Sequence, residues 1–211
     1  MTTKSDLTRS RLLEAGERLF AERGVENTTV ADITRAAGQR NGAAIHYHFG
    51  GRDGLLDAII ERHDRELNQL RHARLEQLEQ SGPVSAREMI ELIVETMATR
   101  LDTGSGRAFL QIQGHRSAAT GGALSRPSLA MAAIRSQLQP LLPTAGRELD
   151  AERAELVATM VIGRLARRAR EEAAGTPSPT RATVVDALVD AATAVLTAAP
   201  PPTIPHQGSP T

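Results

Sequence analysis

Two short helical segments joined by a tight, glycine-containing turn constrain this chain most. The first runs from Thr28 to Ala37 and stops at Gly38, and the second lies within residues 38–50. Because the turn is short, the second segment must cross the first at a steep angle and project outward. Ile45 and Phe49, four residues apart, supply the buried stripe that ties the second helix to its neighbours. We therefore predict a helix-turn-helix with an exposed second helix.

The composition favours helices over sheets. Of 211 residues 40% are hydrophobic but only 2% are aromatic, with no Trp, so the core must be aliphatic. With no Cys, a disulfide framework, a thiolate metal site and a cysteine nucleophile are excluded. The N-terminus has no apolar signal segment and no apolar run approaches 18 residues. From this we expect a cytoplasmic protein with no membrane span.

Helical periodicity continues along the rest of the chain, interrupted by Gly, Pro and Ser breakers. We predict an all-α fold with a three-helix DNA-binding head at 1–51 and a six-helix body at 52–199. A Pro-rich tail at 200–211 cannot bury enough surface to fold and is expected to be disordered. The predicted helices cover residues 5–23, 28–37, 38–50, 52–80, 85–101, 107–117, 125–142, 147–174 and 180–198.

Apolar residues cover more than one stripe of each of the last two helices. A helix that is apolar over so much of its circumference needs two partners. One partner is the chain's own body, and we expect the other to be the same helix pair of a second subunit, forming a four-helix homodimer interface. The interface residues predicted from this pattern are Leu156, Met160, Gly163, Val185, Leu188, Val189, Ala192 and Leu196.

Over residues 9–56 the sequence is similar to the TetR family of bacterial transcriptional regulators. The resemblance is carried by residues 12–24, by 29–33 with 36–38, and by 44–50 with Arg52 and Leu55-Leu56. The turn at Gln39-Arg40 is one residue longer than in many members. The resemblance implies a nine-helix homodimer that binds a palindromic double-stranded DNA operator through its heads and a small-molecule effector in its body. Our interpretation is a ligand-responsive transcriptional regulator, a repressor that is released from its operator by that effector.

The match of motifs also implies roles for side chains of the head. Phosphate contacts and base contacts divide such an interface into positioning and sequence reading. Up to Arg52 there are eight Lys and Arg against six Asp and Glu, a modest local excess in a chain of zero net charge. The implied phosphate contacts are Thr28 or Thr29, Tyr47, His48 and Arg52, and the implied base contacts are Arg40, Asn41, Ala43 and His46.

An effector pocket in the body is a second expectation. Methionine adapts to varied apolar ligands, although core packing explains the same pattern. The candidate lining residues are Met89, Ile93, Met97, Phe109, Gln113 and Met131.

Other functional classes receive less support from the sequence. His46 and His48 diverge on a helix and have no carboxylate or Cys partner nearby, so we expect no metal. No catalytic motif is present, and we expect neither an enzyme nor a cofactor. Gly50–Gly54 lacks the preceding strand and the Gly-Lys ending of a phosphate-binding loop, and the same applies to residues 104–106 and 121–122. A basic cluster at 164–170 suits a solvated helix end better than a second nucleic-acid surface.

The rival hypothesis from another class is a helical protein-interaction module whose head no longer binds DNA. Sequence-dependent, salt-sensitive DNA affinity would separate the two hypotheses.

Overall fold

The computed structural model describes residues 3–119, 129–176 and 179–200. These ranges contain nine α-helices, two short 3-10 turns and no strand, so the predicted all-α fold with three helices followed by six is confirmed. The predicted break at 120–122, the predicted helix start at 125–127 and the predicted tail from 201 onward lie outside the described residues. The helices are α1 Lys4–Arg23, α2 Val30–Ala36, α3 Ala43–Phe49, α4 Arg52–Gln80, α5 Ala86–Ala98, α6 Gly104–Ala119, α7 Leu129–Leu138, α8 Arg147–Ala173 and α9 Arg181–Leu196.

Reciprocal capping boxes start three of these helices. In α2 the Asp32 backbone N–H donates to the Thr29 hydroxyl at 3.2 Å, and the Asp32 carboxylate accepts the Thr29 backbone N–H at 3.3 Å. The same reciprocal box joins Thr3 to Asp6 at α1 and Ser85 to Glu88 at α5. A cap of this kind contributes about 1 kcal/mol, which explains why these starts can be read from sequence.

The helices α1, α2 and α3 form the head and share one hydrophobic core. Its fully buried members include Leu12 and Phe20 from α1, Ile33 from α2 and Ile45 from α3. The same core takes in two residues of α4 and one of α6, namely Leu55, Ile59 and Ile112. The head is therefore packed directly on the first turns of α4 and on α6, and the division at residue 51 stays a prediction.

The helices α4 to α9 form the body around a second core. It joins Leu75 of α4 and Met89 of α5 to Val161 and Leu165 of α8 and Leu188 of α9. Helix α6 is the central element of this arrangement, because residues 106–117 are all buried or half-buried and it contributes Leu110 to the body core and Ile112 to the core of the head.

Two helices differ from their predicted form. The prediction placed a loop at 102–106, but α6 already begins at Gly104. Gly106 lies so close to the preceding 3-10 turn, Thr99–Asp102, that an added Cβ would sit 2.1 Å from the Arg100 carbonyl oxygen. For α4 the sequence predicts an apolar seam of Leu67, Leu70, Leu75 and Leu78, and this prediction is wrong at Leu70, which is 37% exposed. The buried side of α4 instead includes two polar residues, His63 and Arg71.

Candidate nucleic-acid interface

Helix α3 is anchored by one side and exposed on the other. Ile45 is fully buried in the core of the head, whereas the Tyr47 side chain is 82% exposed. Ala43 and His46 are also exposed, and His48 is half-buried. The structure thus presents a seven-residue helix to the outside.

The C-terminal end of α3 is seated on the start of α4. Gly50 adopts φ +75°, and its N–H donates to the His46 carbonyl oxygen at 2.9 Å to close the helix. A Cβ added to Gly54 would lie 1.8 Å from the Phe49 carbonyl oxygen. Only glycine allows this approach, so the angle between α3 and α4 is set by backbone packing.

Aromatic and cationic contacts hold the outer side chains of this end. The guanidinium of Arg9 lies 5.2 Å from the centre of the Phe49 ring, within the range of a cation–π interaction. The rings of Tyr47 and His48 meet edge to face at 4.9 Å. Tyr47 therefore has one neighbour that orients it while its hydroxyl stays in solvent.

The turn between α2 and α3 brings further polar groups to the same surface. Gly38 adopts φ +66° at the end of α2, and an added Cβ on Gly42 would lie 3.0 Å from Cγ1 of Val30. The Asn41 Oδ1 accepts the Ala43 backbone N–H at 3.1 Å, which leaves its amide NH2 group as a donor. Arg40 is exposed beside it.

One of the implied phosphate contacts is wrong. Thr28 is fully buried, and its hydroxyl lies 2.9 Å from the Gly24 carbonyl oxygen and 3.3 Å from that of Leu19. This hydroxyl holds the α1–α2 connection and cannot reach DNA. Thr29 is exposed at the N-terminus of α2, so the alternative retained in the prediction is the accessible one.

Arg52, the first residue of α4, contacts both the connection between α1 and α2 and its own neighbour Asp53. Its Nη1 donates to the Val25 carbonyl oxygen at 3.4 Å, and its Nε donates to Asp53 at 3.2 Å. The side chain is 31% exposed. These contacts place a partly solvated guanidinium at the first residue of α4.

The charge of this surface is mixed. The Arg35 side chain is 79% exposed and lies 3.5 Å from Asp32. Hydrogen bonds from the Thr29 hydroxyl and backbone N–H hold the pKa of Asp32 below its usual range, so this carboxylate is negative at neutral pH. The local positive potential thus depends on Arg35, Arg40 and Arg52.

A buried polar cluster between head and body was missed by sequence reasoning. Nε2 of His63 in α4 lies 2.7 Å from Oε1 of Glu17 in α1, and the Ser105 hydroxyl of α6 donates to Oε2 of Glu17 at 2.7 Å. The Arg62 Nη2 donates to the same Oε1 at 2.5 Å. Glu17 and His63 are 5% and 3% exposed. One feature of the sequence could have revealed this cluster. Glu17 lies one helical turn from Leu13 and one turn from Ala21, which are both buried, so it falls on the buried side of α1.

The electrostatics of this cluster favour an ionised Glu17. Burial opposes ionisation, but hydrogen bonds from His63 and Ser105 and the Arg62 guanidinium outweigh it and hold the pKa of Glu17 below its usual range. The other side of the His63 ring stacks on Phe109, with centroids 4.4 Å apart. Phe109, predicted as a pocket residue, is fully buried in this stack.

The other predicted pocket residues lie mostly in the body core. Met89 is 1% exposed, and Ile93 and Met97 are half-buried against the same core. Gln113 accepts a hydrogen bond from Arg116 at 2.9 Å, and Met131 is half-buried on α7. An effector pocket among these residues remains a prediction.

The predicted dimer residues divide into two groups. Leu188, Val189 and Ala192 are 4%, 3% and 0% exposed within a single chain, so their assignment to a subunit interface was wrong. They face inward because α9 packs against α5 and α8 of its own body. Leu156 is 61% exposed and Gly163 is exposed with no atom within 4 Å of an added Cβ. Met160, Val185 and Leu196 are half-buried.

The described residues give little support to the other possibilities considered from the sequence, which are a second nucleic-acid surface, a metal site and a membrane span. Arg167 is 70% exposed and pairs with Glu171 at 2.7 Å, as in a solvated helix end, whereas Arg168 is only 11% exposed and pairs with Glu172 at 2.8 Å. Within the described ranges no three His, Cys, Asp or Glu side chains come together as a metal site would require. None of the described helices combines the length and apolarity needed to cross a membrane.

Comparison with known proteins points to one family. The family model for bacterial regulatory proteins of the tetR family matches residues 12–59, which include α2, α3 and the start of α4. The HTH-type transcriptional regulator TtgR of Pseudomonas putida is 46% identical over 61 residues, 27% of this chain and 29% of its own length. The HTH-type transcriptional repressor KstR2 of Rhodococcus jostii is 44% identical over 52 residues, 25% of each chain. The chain thus matches less than a third of the length of these curated relatives.

Similarity of fold extends over most of the chain. A crystal structure from Rhodococcus sp., described as a TetR-family transcriptional regulator, aligns with 90% of this chain and 98% of its own at a TM-score of 0.51 and 20% identity. At that identity the likeness concerns the fold alone.

Proposed function

We propose that the chain, whose residues 12–59 match the family model of tetR-family bacterial regulatory proteins, is a member of that family and a ligand-responsive transcriptional regulator that acts as a repressor. The curated relatives that match its head are named as transcriptional regulators and repressors, and none is named as an enzyme. Residues 1–51 serve as the DNA-binding domain and residues 52–199 as the effector-binding and dimerisation domain.

The observation that carries DNA binding is the orientation of α3. A seven-residue helix with Ile45 in the core and Tyr47 82% exposed presents its polar side to the outside. Arg40, Asn41, Ala43 and His46 supply the donors and the methyl group that read base edges in the major groove.

Phosphate contacts flank this reading surface on both sides. Thr29 lies at the start of α2, Tyr47 and His48 at the end of α3, and Arg52 at the start of α4. Contacts to the backbone from both sides fix the register of a recognition helix on the duplex.

Homodimerisation follows from the outer side of α8. Leu156 is 61% exposed, Met160 is half-buried, and Gly163 leaves room for close approach of a second helix. Val185 and Leu196 of α9 complete a narrower interface than the one predicted from sequence. Two heads related by a twofold axis would place their recognition helices about 34 Å apart and read a palindromic operator.

Release by an effector requires that the body and the head move together. Helix α6 contributes Ile112 to the core of the head, and the His115 side chain lies 3.2 Å from the Ala21 carbonyl oxygen of α1. An effector that prefers a body conformation with displaced α6 shifts the population away from the DNA-binding arrangement.

The proposal is tested by recovering genomic DNA fragments bound by the purified protein and sequencing them. We expect enrichment of fragments that share a palindrome, and fluorescence anisotropy should show affinity for that palindrome that falls steeply with salt. Retention without a shared sequence, or no retention at low salt, would favour the protein-interaction module instead.

A further inference from the structure

A buried arginine in the body lacks an ion-pair partner. Arg71 occupies the buried stripe of α4 between Leu67 and Leu75, and it is 3% exposed. Its Nε donates to the Thr96 hydroxyl oxygen of α5 at 3.3 Å, while the Thr96 hydroxyl itself donates to the Leu92 carbonyl oxygen at 2.7 Å. Nη2 is buried and has no hydrogen-bond partner, and no described carboxylate lies within 4.0 Å of Arg71.

This arrangement is unfavourable for the isolated chain. Burying a guanidinium costs several kcal/mol unless a counter-charge and hydrogen bonds offset the lost hydration. Burial lowers the pKa of Arg71 to about 10, with Asp64 opposing and Arg100 adding to the shift, so the group keeps its charge at neutral pH. An unsatisfied buried donor on a charged group therefore calls for a specific explanation.

A second arginine adjoins the first and has the same deficiency. Arg100, in the 3-10 turn after α5, has a buried Nε without a partner. Its Nη1 pairs with Glu66 at 2.6 Å, and the Glu66 side chain is 54% exposed. Arg100 thus has one buried N–H donor without a partner, while its charge is balanced by the exposed carboxylate of Glu66.

The nearest carboxylate does not supply the missing negative charge. Asp64 acts on Arg71 electrostatically but forms no ion pair with it. Burial raises the pKa of Asp64, the opposite of what a well-paired carboxylate would show. The guanidinium of Arg71 is therefore buried with neither an ion-pair partner nor a full set of hydrogen bonds.

We propose that Arg71, with Arg100 beside it, binds the carboxylate of an acidic small-molecule effector. The planar guanidinium of Arg71 has a buried donor without a partner, and this geometry matches the oxygens of a carboxylate. Met89, Ile93 and Met97, on the same helix as Thr96, contact the apolar remainder of the ligand. This inference rests on the proposed function, because it assigns a chemical class to the effector of that regulator.

The test compares acids with neutral analogues of the same shape. Octanoate and benzoate are added to the full-length protein in parallel with octanamide and benzamide, and the melting temperature is recorded. We expect at least one acid to raise Tm by about 5 °C or more at roughly a hundred times its Kd, and its amide to do far less. Equal shifts by acid and amide, or no shift by either acid, would overturn the proposal.

Variants assign the effect to the side chain. In Arg71→Met we expect an unchanged or higher Tm without ligand, because an unpaired buried charge is removed, and no shift with the acid. Arg74→Met is the matched control, since Arg74 lies one turn further along α4, exposed and paired with Glu95 at 3.4 Å, and it should keep the full shift. A full shift by the acid in a folded Arg71→Met variant would reject the ligand site.

A second, conservative variant of the same residue covers the case in which Arg71→Met does not fold. Arg71→Lys keeps the charge but loses the planar pair of donors, and we expect its Kd for the acid to rise about tenfold. An unchanged Kd in this variant contradicts the bidentate contact.

Operator binding is measured separately so that the two proposals fail independently. If the protein binds a palindrome but neither acid, only this inference fails. If an acid binds through Arg71 while no DNA is bound, the site stands and the proposed function fails.

Discussion

Oε1 of Glu17 lies 2.7 Å from Nε2 of His63, and this contact joins the first helix of the head to the long helix that begins the body. Ser105 of α6 and Arg62 of α4 bind the same carboxylate. Three helices therefore meet at one buried anion, where α1 of the head packs against α4 and α6.

Replacing this anion tests its contribution to stability. Glu17→Gln keeps the shape but removes the charge, and we expect the free energy of unfolding to fall by about 1–3 kcal/mol because donors from three side chains lose their charged acceptor. Chemical denaturation at pH 7 measures the change. Glu22→Gln is the control, since the exposed Glu22 lies 3.9 Å from Arg18 and should change stability by less than about 0.5 kcal/mol. Equal effects of the two variants would contradict the role of Glu17.

The difference in stability between wild type and Glu17→Gln should depend on pH, and the pKa of Glu17 sets the sign of that dependence. The pKa of Glu17 in the folded protein lies below its ordinary value of 4.5, so its stabilisation is complete above pH 4.5 and is lost as pH falls through the folded-state pKa. We expect the stability difference between wild type and Glu17→Gln to be constant from pH 7 to 5 and to shrink below pH 4.5. A difference that grew with acidification would reverse this assignment.

Because the C-terminal end of α3 packs against the start of α4, one methyl group added at Gly54 should strongly affect stability and operator binding. Gly54→Ala would place Cβ 1.8 Å from the Phe49 carbonyl oxygen, so α3 must shift or the first turn of α4 must open. We expect a loss of about 2 kcal/mol or more together with weaker operator binding, measured by thermal unfolding and anisotropy. Gly104→Ala, whose nearest neighbour is Nη2 of Arg107 at 4.0 Å, should be neutral or slightly stabilising. Normal stability and affinity in Gly54→Ala would show that this approach does not fix α3.

Base and phosphate contacts are separable by their dependence on sequence and salt. His46→Ala should reduce the preference for the operator over unrelated DNA, while Arg52→Ala should weaken binding to all sequences and lower the salt slope by roughly one unit. Anisotropy titrations at several salt concentrations measure both quantities. Arg74→Ala, on the surface of the body, should alter neither. An unchanged salt slope in Arg52→Ala would remove Arg52 from the phosphate contacts.

The exposed strip of α8 predicts the oligomeric state. Leu156→Asp should shift the protein from dimer to monomer in sedimentation experiments, because a charge would be buried against the second subunit. Leu141→Asp is the matched control, as Leu141 is 44% exposed on a different part of the body. A dimer unaffected by Leu156→Asp would place the interface elsewhere.

The sequence by itself determined the order and most ends of the helices. Thr29 with Asp32, Gly38 and Gly50 act through hydrogen bonds and backbone angles within a few residues, so their effect does not depend on the rest of the fold. For the same reason the outward position of α3 could be inferred from Ile45 and the flanking glycines.

Only the tertiary structure decided which polar side chains are buried and which apolar ones remain exposed. Glu17 meets Ser105 across 88 positions of the chain, and no local pattern encodes that meeting. Thr28 and Thr29 are adjacent, yet one is sealed between α1 and α2 and the other is exposed. Leu188 fits an interface by pattern as well as Leu156 does, and only the packing of α9 into its own body separates them. Periodicity shows that a side of a helix is apolar, but the neighbouring helices decide what covers it.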